Sequence, residues 1–189
     1  MAYELRSARY LAAYCLRQVI LPGDRVVDAT MGNGHDTCFL AELVGEHGHV
    51  DAFDLQTDAV AHTERLLAEQ GLLPRCTLNV RGHEHIAEYV REPVRAAVFN
   101  LGWLPGGDKS VTTHWETTRA AVDACLTLLL PGGVCTICAY PGHPAGDEER
   151  RALTAYLSTL RPQEYNVLHQ HFLNAGPGAP ECFVVQKNA

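Results

Sequence analysis

Apolar residues recur along this chain in two alternating rhythms. Leu5, Ala8, Leu11, Ala12, Cys15, Leu16 and Val19 stand at the spacing of one face of an α-helix. Pro22-Gly23-Asp24 ends that run, and a short apolar strand is expected over residues 25–29. The pattern then predicts a glycine-containing turn over 30–36, a helix over 37–44 and a strand over 50–54. Thr57 or Asp58 is placed to cap a helix that runs to about Gln70, with Gly71 at its end. Further strands are predicted over 76–80, 96–100 and 134–140, with a short helix over 86–90. After the fourth strand comes a polar loop, 102–110, then a helix from Thr112 or Thr113 to Leu130. A helix from about Asp147 to Leu160 and two strands, 165–172 and 182–187, follow.

Strands that alternate with helices imply right-handed crossovers and a mainly parallel sheet covered on both faces. The last two strands are joined by a Gly/Pro-rich turn and no helix, so the final strand is expected to be antiparallel. The expected fold is α/β and Rossmann-like. It has seven strands in a mainly parallel sheet, helices on both faces, and one domain over residues 1–189. Ligands of such sheets bind outside the carboxyl ends of the strands. Residues that follow each strand are therefore the candidates for chemistry.

Composition narrows the class. The 189 residues are 47% hydrophobic and 20% charged, which describes a globular chain. Fifteen Lys+Arg against 22 Asp+Glu give a net charge of −7. That argues against non-specific coating of nucleic acid, which needs many cations on phosphates. It leaves room for one base held in a pocket. Seven cysteines, an odd number scattered through apolar segments, read as reduced thiols and hence a cytoplasmic location. Cys135 and Cys138 lie in a predicted strand, where residues three apart face opposite ways. Of the histidine pairs His47/His49, His83/His85 and His169/His171, the first reads as surface imidazoles and the last as strand-edge residues, while His83 differs. No metal is expected. Arg6, Arg9 and Arg17 interrupt the first apolar run, and no stretch of eighteen apolar residues exists, so neither a signal peptide nor a membrane span is expected.

The first turn, Asp28-Ala-Thr-Met-Gly32-Asn33-Gly34, follows the first strand. Its glycines let backbone approach a ligand, and the helix beyond offers free N–H groups. Asp54 ends the second strand, twenty residues past Gly34, where an acid would reach ribose hydroxyls. This context points to a nucleoside-containing cofactor. A dinucleotide fingerprint needs a small residue where Thr37 stands. Asp28 would also oppose a pyrophosphate, at about 1 kcal/mol for like charges 4 Å apart even in water. S-adenosylmethionine (SAM) has an ammonium, a sulfonium and no phosphate. Its amino-acid part would sit at Gly32–Gly34 and be held through Asp28, and its ribose would meet Asp54. Alternatively, Asp28 caps backbone N–H groups of the turn. His83, in Arg81-Gly82-His83 after the third strand, is placed to meet an adenine.

Asn100 and Trp103 end the fourth strand as Asn-x-x-aromatic. Many enzymes that methylate amino nitrogens carry Asn/Asp-Pro-Pro-aromatic there. The side-chain oxygen accepts a hydrogen bond from the nucleophilic N–H, and the ring stacks on a flat substrate. Alternatively, Asn100 caps the strand and Trp103 packs in the core. In the following loop Lys109 could meet an RNA phosphate, and Asp108 could take a proton or bind a substrate cation. His143, after the fifth strand, is a second candidate base, because neutral imidazole accepts a proton near pH 7.

Three stretches go further. They are Asp28-Ala-Thr-Met-Gly-Asn-Gly-His-Asp-Thr37, the loop Phe99-Asn-Leu-Gly-Trp-Leu-Pro-Gly-Gly-Asp-Lys-Ser-Val-Thr-Thr113, and Tyr140-Pro-Gly-His143. Beyond generic methyltransferase features such as Leu130-Pro-Gly-Gly133, they closely resemble small bacterial proteins labelled rRNA methylases, over nearly the whole chain from about Leu5 to Val185. The resemblance implies a class I SAM-dependent methyltransferase. Characterised members methylate the 5-aminomethyl group of the wobble (2-thio)uridine in tRNA. It implies cofactor contacts from Asp28, Met31, Gly32, Asn33, Gly34, Asp36, Asp54, Leu55, Gln56, Gly82, His83 and Asn100. Catalytic roles fall to Asn100, Asp108 and His143. Substrate contacts fall to Trp103, Pro105, Gly106, Asp108, Lys109, Thr112 and Thr113. Tyrosine is common in the family where this chain has Trp103, which keeps the stacking surface and lacks the hydroxyl. The implied partner is the anticodon region of tRNA, and the first helix or the final strands could pair two subunits. The competing readings are a SAM methyltransferase for rRNA or a small molecule, an NAD(P)-dependent oxidoreductase, and a SAM-binding protein without catalysis.

Overall fold

A computed structural model describes residues 7–104, 106 and 112–189. Ser7 accepts the Tyr10 N–H and so starts α1, Ala8–Val19. After β1 (Arg25–Asp28) a glycine turn leads into α2 (His35–Val44), β2 (His49–Asp54) and α3 (Thr57–Glu69). β3 (Cys76–Val80), α4 (Ile86–Tyr89) and β4 (Val94–Asn100) follow. Then come α5 (Trp115–Leu128), β5 (Leu129–Ala139), α6 (Pro144–Leu157), β6 (Tyr165–Gln170) and β7 (Glu181–Lys187).

The strands form one seven-stranded sheet in the order β3-β2-β1-β4-β5-β7-β6. The first five pair in parallel, and β7 runs antiparallel to both β5 and β6. Parallel strands are buried on both faces, so they read as continuous apolar runs. Alternation along each strand then divides the core in two. Val27, Phe53, Phe99, Ile137 and Phe183 face α4, α5 and α6, while Val26, Val50, Ala52 and Val98 face α2 and α3. The N-terminal half of α1 packs Ala8, Leu11 and Ala12 on Cys138, Cys182 and Val184 of β5 and β7.

Several boundaries differ from the sequence pattern, and three of them have a local reason. α5 starts at Trp115, later than Thr112 or Thr113. Thr112 is bridged to Trp103 instead, and the Thr113 N–H donates to the Gly102 carbonyl. α6 starts three residues before Asp147, because Pro144 suits the first helical position and His143 caps it. β5 starts at Leu129, five residues early, and takes in Pro131-Gly132-Gly133 beside a register shift against β4.

β1 is the switch point: the chain leaves it for β2 on one side and later returns as β4 on the other. The turn there depends on Gly34. Its φ is +78°, and a Cβ at that position would lie 2.7 Å from Thr63 Oγ1 on α3. Gly34→Ala should therefore cost about 2–4 kcal/mol from backbone strain and overpacking together. A lower urea midpoint at unchanged slope is the expected result.

Candidate active site

A cavity of about 520 Å³ opens at the carboxyl ends of β1, β2, β4 and β5. That lies within the range of small-molecule sites, roughly 300–1,000 Å³. Met31, Gly32, Asn33, Asp36, Asp54, Leu55, Gln56, Gly82, His83 and Asn100 all line it. Trp103, Thr112, Thr113 and His143 do too. Gly34 and Gly106 are not among the lining residues, and Gly106 is exposed. Pro105, Asp108 and Lys109 lie outside the described residues.

Asp28 is fully buried beneath the turn and is not among the residues that line the cavity. Its Oδ1 accepts the Thr30 N–H at 3.2 Å and its Oδ2 the Thr37 hydroxyl at 2.6 Å. Burial, with the charges of Asp36 and Asp54, pushes its pKa up to about 7 against the pull of those hydrogen bonds. The carboxyl group thus shapes the turn from below, and it gives Thr37 a partner that a small residue would lack.

Asp54 holds the turn from the other side. Its Oδ2 accepts the Gly32 N–H and its Oδ1 the Gln56 N–H, both at 2.9 Å. Carboxylate oxygens keep further lone pairs for a ribose hydroxyl. Thr63 donates to the Gly32 carbonyl at 3.1 Å, and the Met31 N–H donates to the Phe53 carbonyl. His83 is buried edge-on to Phe99, with ring centroids 5.9 Å apart. Burial lowers its pKa and keeps the ring neutral.

At the end of β4 the Asn100 N–H donates to Thr30 Oγ1 at 2.7 Å. The Asn100 amide Nδ2 donates to Asp36 Oδ2, also at 2.7 Å. Asp36 Oδ1 pairs with the Arg9 guanidinium at 2.5 Å. The Tyr140 hydroxyl stands 3.5 Å from Asn100 Oδ1. Trp103 packs on the His143 ring, with centroids 4.1 Å apart and planes tilted by 41°. His143 Nδ1 accepts the Gly146 N–H at 3.1 Å. The neutral ring then carries its proton on Nε2, which makes that nitrogen a donor and not the acceptor a general base requires.

Sequence reasoning missed Arg9 and Tyr140 as site residues and Glu149 altogether. Tyr140 follows β5, so its place at a strand end was a usable signal. Arg9 has no such signal, because α1 reaches the site only by packing across β5 and β7. Glu149, buried on α6, accepts from the Thr113 and Thr118 hydroxyls, both at 2.6 Å. Thr113 Oγ1 in turn accepts the Gly102 N–H at 2.8 Å. This chain of bonds joins the two ends of the loop between β4 and α5. Burial raises the Glu149 pKa. Of the other cations, Arg150 and Arg151 both pair with Asp147 at 2.7 Å, and Arg17 lies over Phe39.

Among the described residues no group of three or more His, Cys, Asp or Glu could hold a metal ion, and no helix is long and apolar enough to cross a membrane. All seven cysteines are free thiols. Asp36 and Asp54 line the cavity beside Arg9 and Arg81, and Asp54 already takes the Gly32 N–H that a phosphate at the turn would use. A ligand with cationic centres, sugar hydroxyls and no phosphate fits that lining, as SAM does.

Fold and cavity together define a class I SAM-dependent methyltransferase, with one reversed strand in the sheet and a glycine turn at its switch point. Residues 50–186 match the family described as "Putative rRNA methylase", and the chain belongs to that family. A Clostridium thermocellum structure described in the same words is 37% identical, with a TM-score of 0.95 over 97% of this chain and 99% of that one. A "putative methyltransferase" from Streptococcus mutans in complex with SAH is 35% identical, with a TM-score of 0.88 and coverage of 97% and 99%. A chloroplastic tRNA (mnm(5)s(2)U34)-methyltransferase of Arabidopsis thaliana is 37% identical, over 93% of this chain and 67% of that longer protein.

The raised pKa of Asp28 has a sign that can be tested. Its folded value lies above the unfolded one, near 4, so the folded state holds the proton more tightly. Stability then falls as pH rises from about 4 to about 7 and levels off above that. Asp28→Asn should remove this component, on the order of 4 kcal/mol across the window. Parallel urea titrations at pH 5 and pH 8 check it: wild type should lose more stability between them than the variant does.

Proposed function

We propose that the chain methylates the 5-aminomethyl nitrogen of the wobble (2-thio)uridine in tRNA, with SAM as methyl donor. The observation that carries this reading is the Asn100 amide held between Asp36 and Tyr140, in the cavity that also contains the Trp103–His143 ring pair. An amide oxygen suits an amine nucleophile, and a tryptophan face suits a planar base. The printed activity of the Arabidopsis relative supports the same substrate.

SAM supplies an electrophilic methyl on a sulfonium. The chain has to present a neutral amine to it in line with the breaking bond. Asn100 Oδ1 accepts one N–H of that amine and aims the nitrogen lone pair. A bond forms from nitrogen to the methyl carbon, the carbon–sulfur bond breaks, and its electron pair stays on sulfur. The nitrogen of the product carries an extra proton, which passes to water or to a nearby carboxylate. Asp108 takes that role in this reading, because His143 Nδ1 is committed to its helix cap. Positioning supplies most of the acceleration.

The net charge of −7 shapes how RNA is held. Arg9, Arg150 and Arg151 already have carboxylate partners in the protein. Few phosphate contacts and one base in the cavity describe the complex.

Asn100→Ala should lower kcat by about 100–1,000-fold and leave SAM affinity within about threefold, as read by single-turnover assay and calorimetry. Unaltered turnover would remove Asn100 from its role. The substrate is tested by nucleoside mass spectrometry of tRNA from a strain lacking the gene. Accumulated 5-aminomethyl-uridine supports the assignment, while an unchanged tRNA profile with a methyl group missing from rRNA overturns it.

A further inference from the structure

We propose that Asp36 is a positioning residue, which sets the direction the Asn100 amide faces, with Arg9 of α1 as its counter-ion. The inference rests on the amine-methylating reading of Asn100. An asparagine amide has two nearly isosteric ends. Only the oxygen end can accept a hydrogen bond from a nucleophilic N–H; the other end donates and would repel it. Left alone, the terminal torsion is broad and roughly two-fold, and both orientations are populated.

Asp36 removes that ambiguity. An ionised carboxylate is an acceptor only, so the group 2.7 Å from its Oδ2 has to be the NH₂ end of Asn100. The oxygen is left on the side of Tyr140, another lining residue, whose hydroxyl can donate to it. The Asn100 backbone is itself tied to Thr30, so the side chain pivots from a fixed point. Both Asp36 oxygens are engaged, one with Asn100 and one with Arg9. This arrangement makes Asp36 a holder of the amide and not a base.

The position of α1 gives Asp36 its counter-ion. Asp36 lies close to Asp28 and Asp54, and the Arg9 guanidinium supplies the opposite charge at its Oδ1. With Oδ1 held by Arg9, Oδ2 is the oxygen that accepts the Asn100 NH₂. Ala8, Leu11 and Ala12 fasten α1 to β5 and β7, and that contact delivers the guanidinium to Asp36.

The test uses the full chain with SAM and aminomethyl-bearing tRNA. Asp36→Ala should lower kcat by about 100-fold, with the KM for tRNA and the SAM Kd changed less than about threefold. Asn100→Asp should be equally poor, since it sets two carboxylates against each other. The exchanged pair, Asp36→Asn with Asn100→Asp, restores a donor facing an acceptor and should recover about tenfold or more over Asn100→Asp. A second readout needs no substrate. The Asn100 side-chain amide protons, identified by their loss in Asn100→Ala, should show one strongly downfield member in wild type. That displacement should vanish in Asp36→Ala. The proposal is overturned if Asp36→Ala keeps kcat within about threefold, if its loss lies wholly in SAM affinity, if the exchanged pair recovers nothing, or if no downfield proton exists. A downfield proton together with no turnover of aminomethyl-bearing tRNA by wild type would sink the substrate assignment and leave the orienting role standing.

Discussion

Three carboxylates crowd the turn after β1, and the site is organised by how each is satisfied. Asp28 binds it from below through Thr30 and Thr37, Asp54 grips Gly32 from the side, and Asp36 opens α2 and reaches Asn100. Like charges this close are costly unless hydrogen bonds, a cation or protonation answer them. The structure uses all three. Asp54 collects backbone N–H groups, Asp36 takes Arg9, and Asp28 is pushed towards neutrality by burial. Asp36 and Asp54, the two of them that reach the cavity, suit a cationic, phosphate-free cofactor.

That electrostatic core also links elements far apart in the chain. α1 supplies Arg9, α2 supplies Asp36, and β4 supplies Asn100. A separate chain, from Glu149 through Thr113 to Gly102, closes the base of the loop between β4 and α5. The aromatic pair of Trp103 and His143 lines the same cavity, with His143 capping α6. Asn100 is bonded to the turn through its backbone N–H on Thr30 and to α2 through its amide on Asp36.

Much of this was legible before any coordinates. The alternation of strands and helices, the glycine turn, the acid after β2 and Asn100 after β4 all follow a simple rule. In a parallel sheet every strand ends at the same edge, so residues just past strand ends converge. Where the pattern misplaced boundaries, a local bond had intervened: Thr112 and Thr113 are held by Trp103 and Gly102 and cannot start a helix. The final strand was placed correctly as antiparallel because no helix precedes it.

Sequence by itself determined the class of fold, the edge at which ligands gather, and the chemical types at that edge, because period and strand order are local or near-local properties. Tertiary structure decided depth and partnership. Asp28 reads first as a ligand contact and only second as a cap, and packing shows it sealed beneath the turn. Arg9 lies 27 residues from Asp36, and Asp36 lies 64 from Asn100. No spacing in the chain encodes those contacts; they exist because α1 folds back over β5 and β7 and because β1 and β4 are neighbours in the sheet.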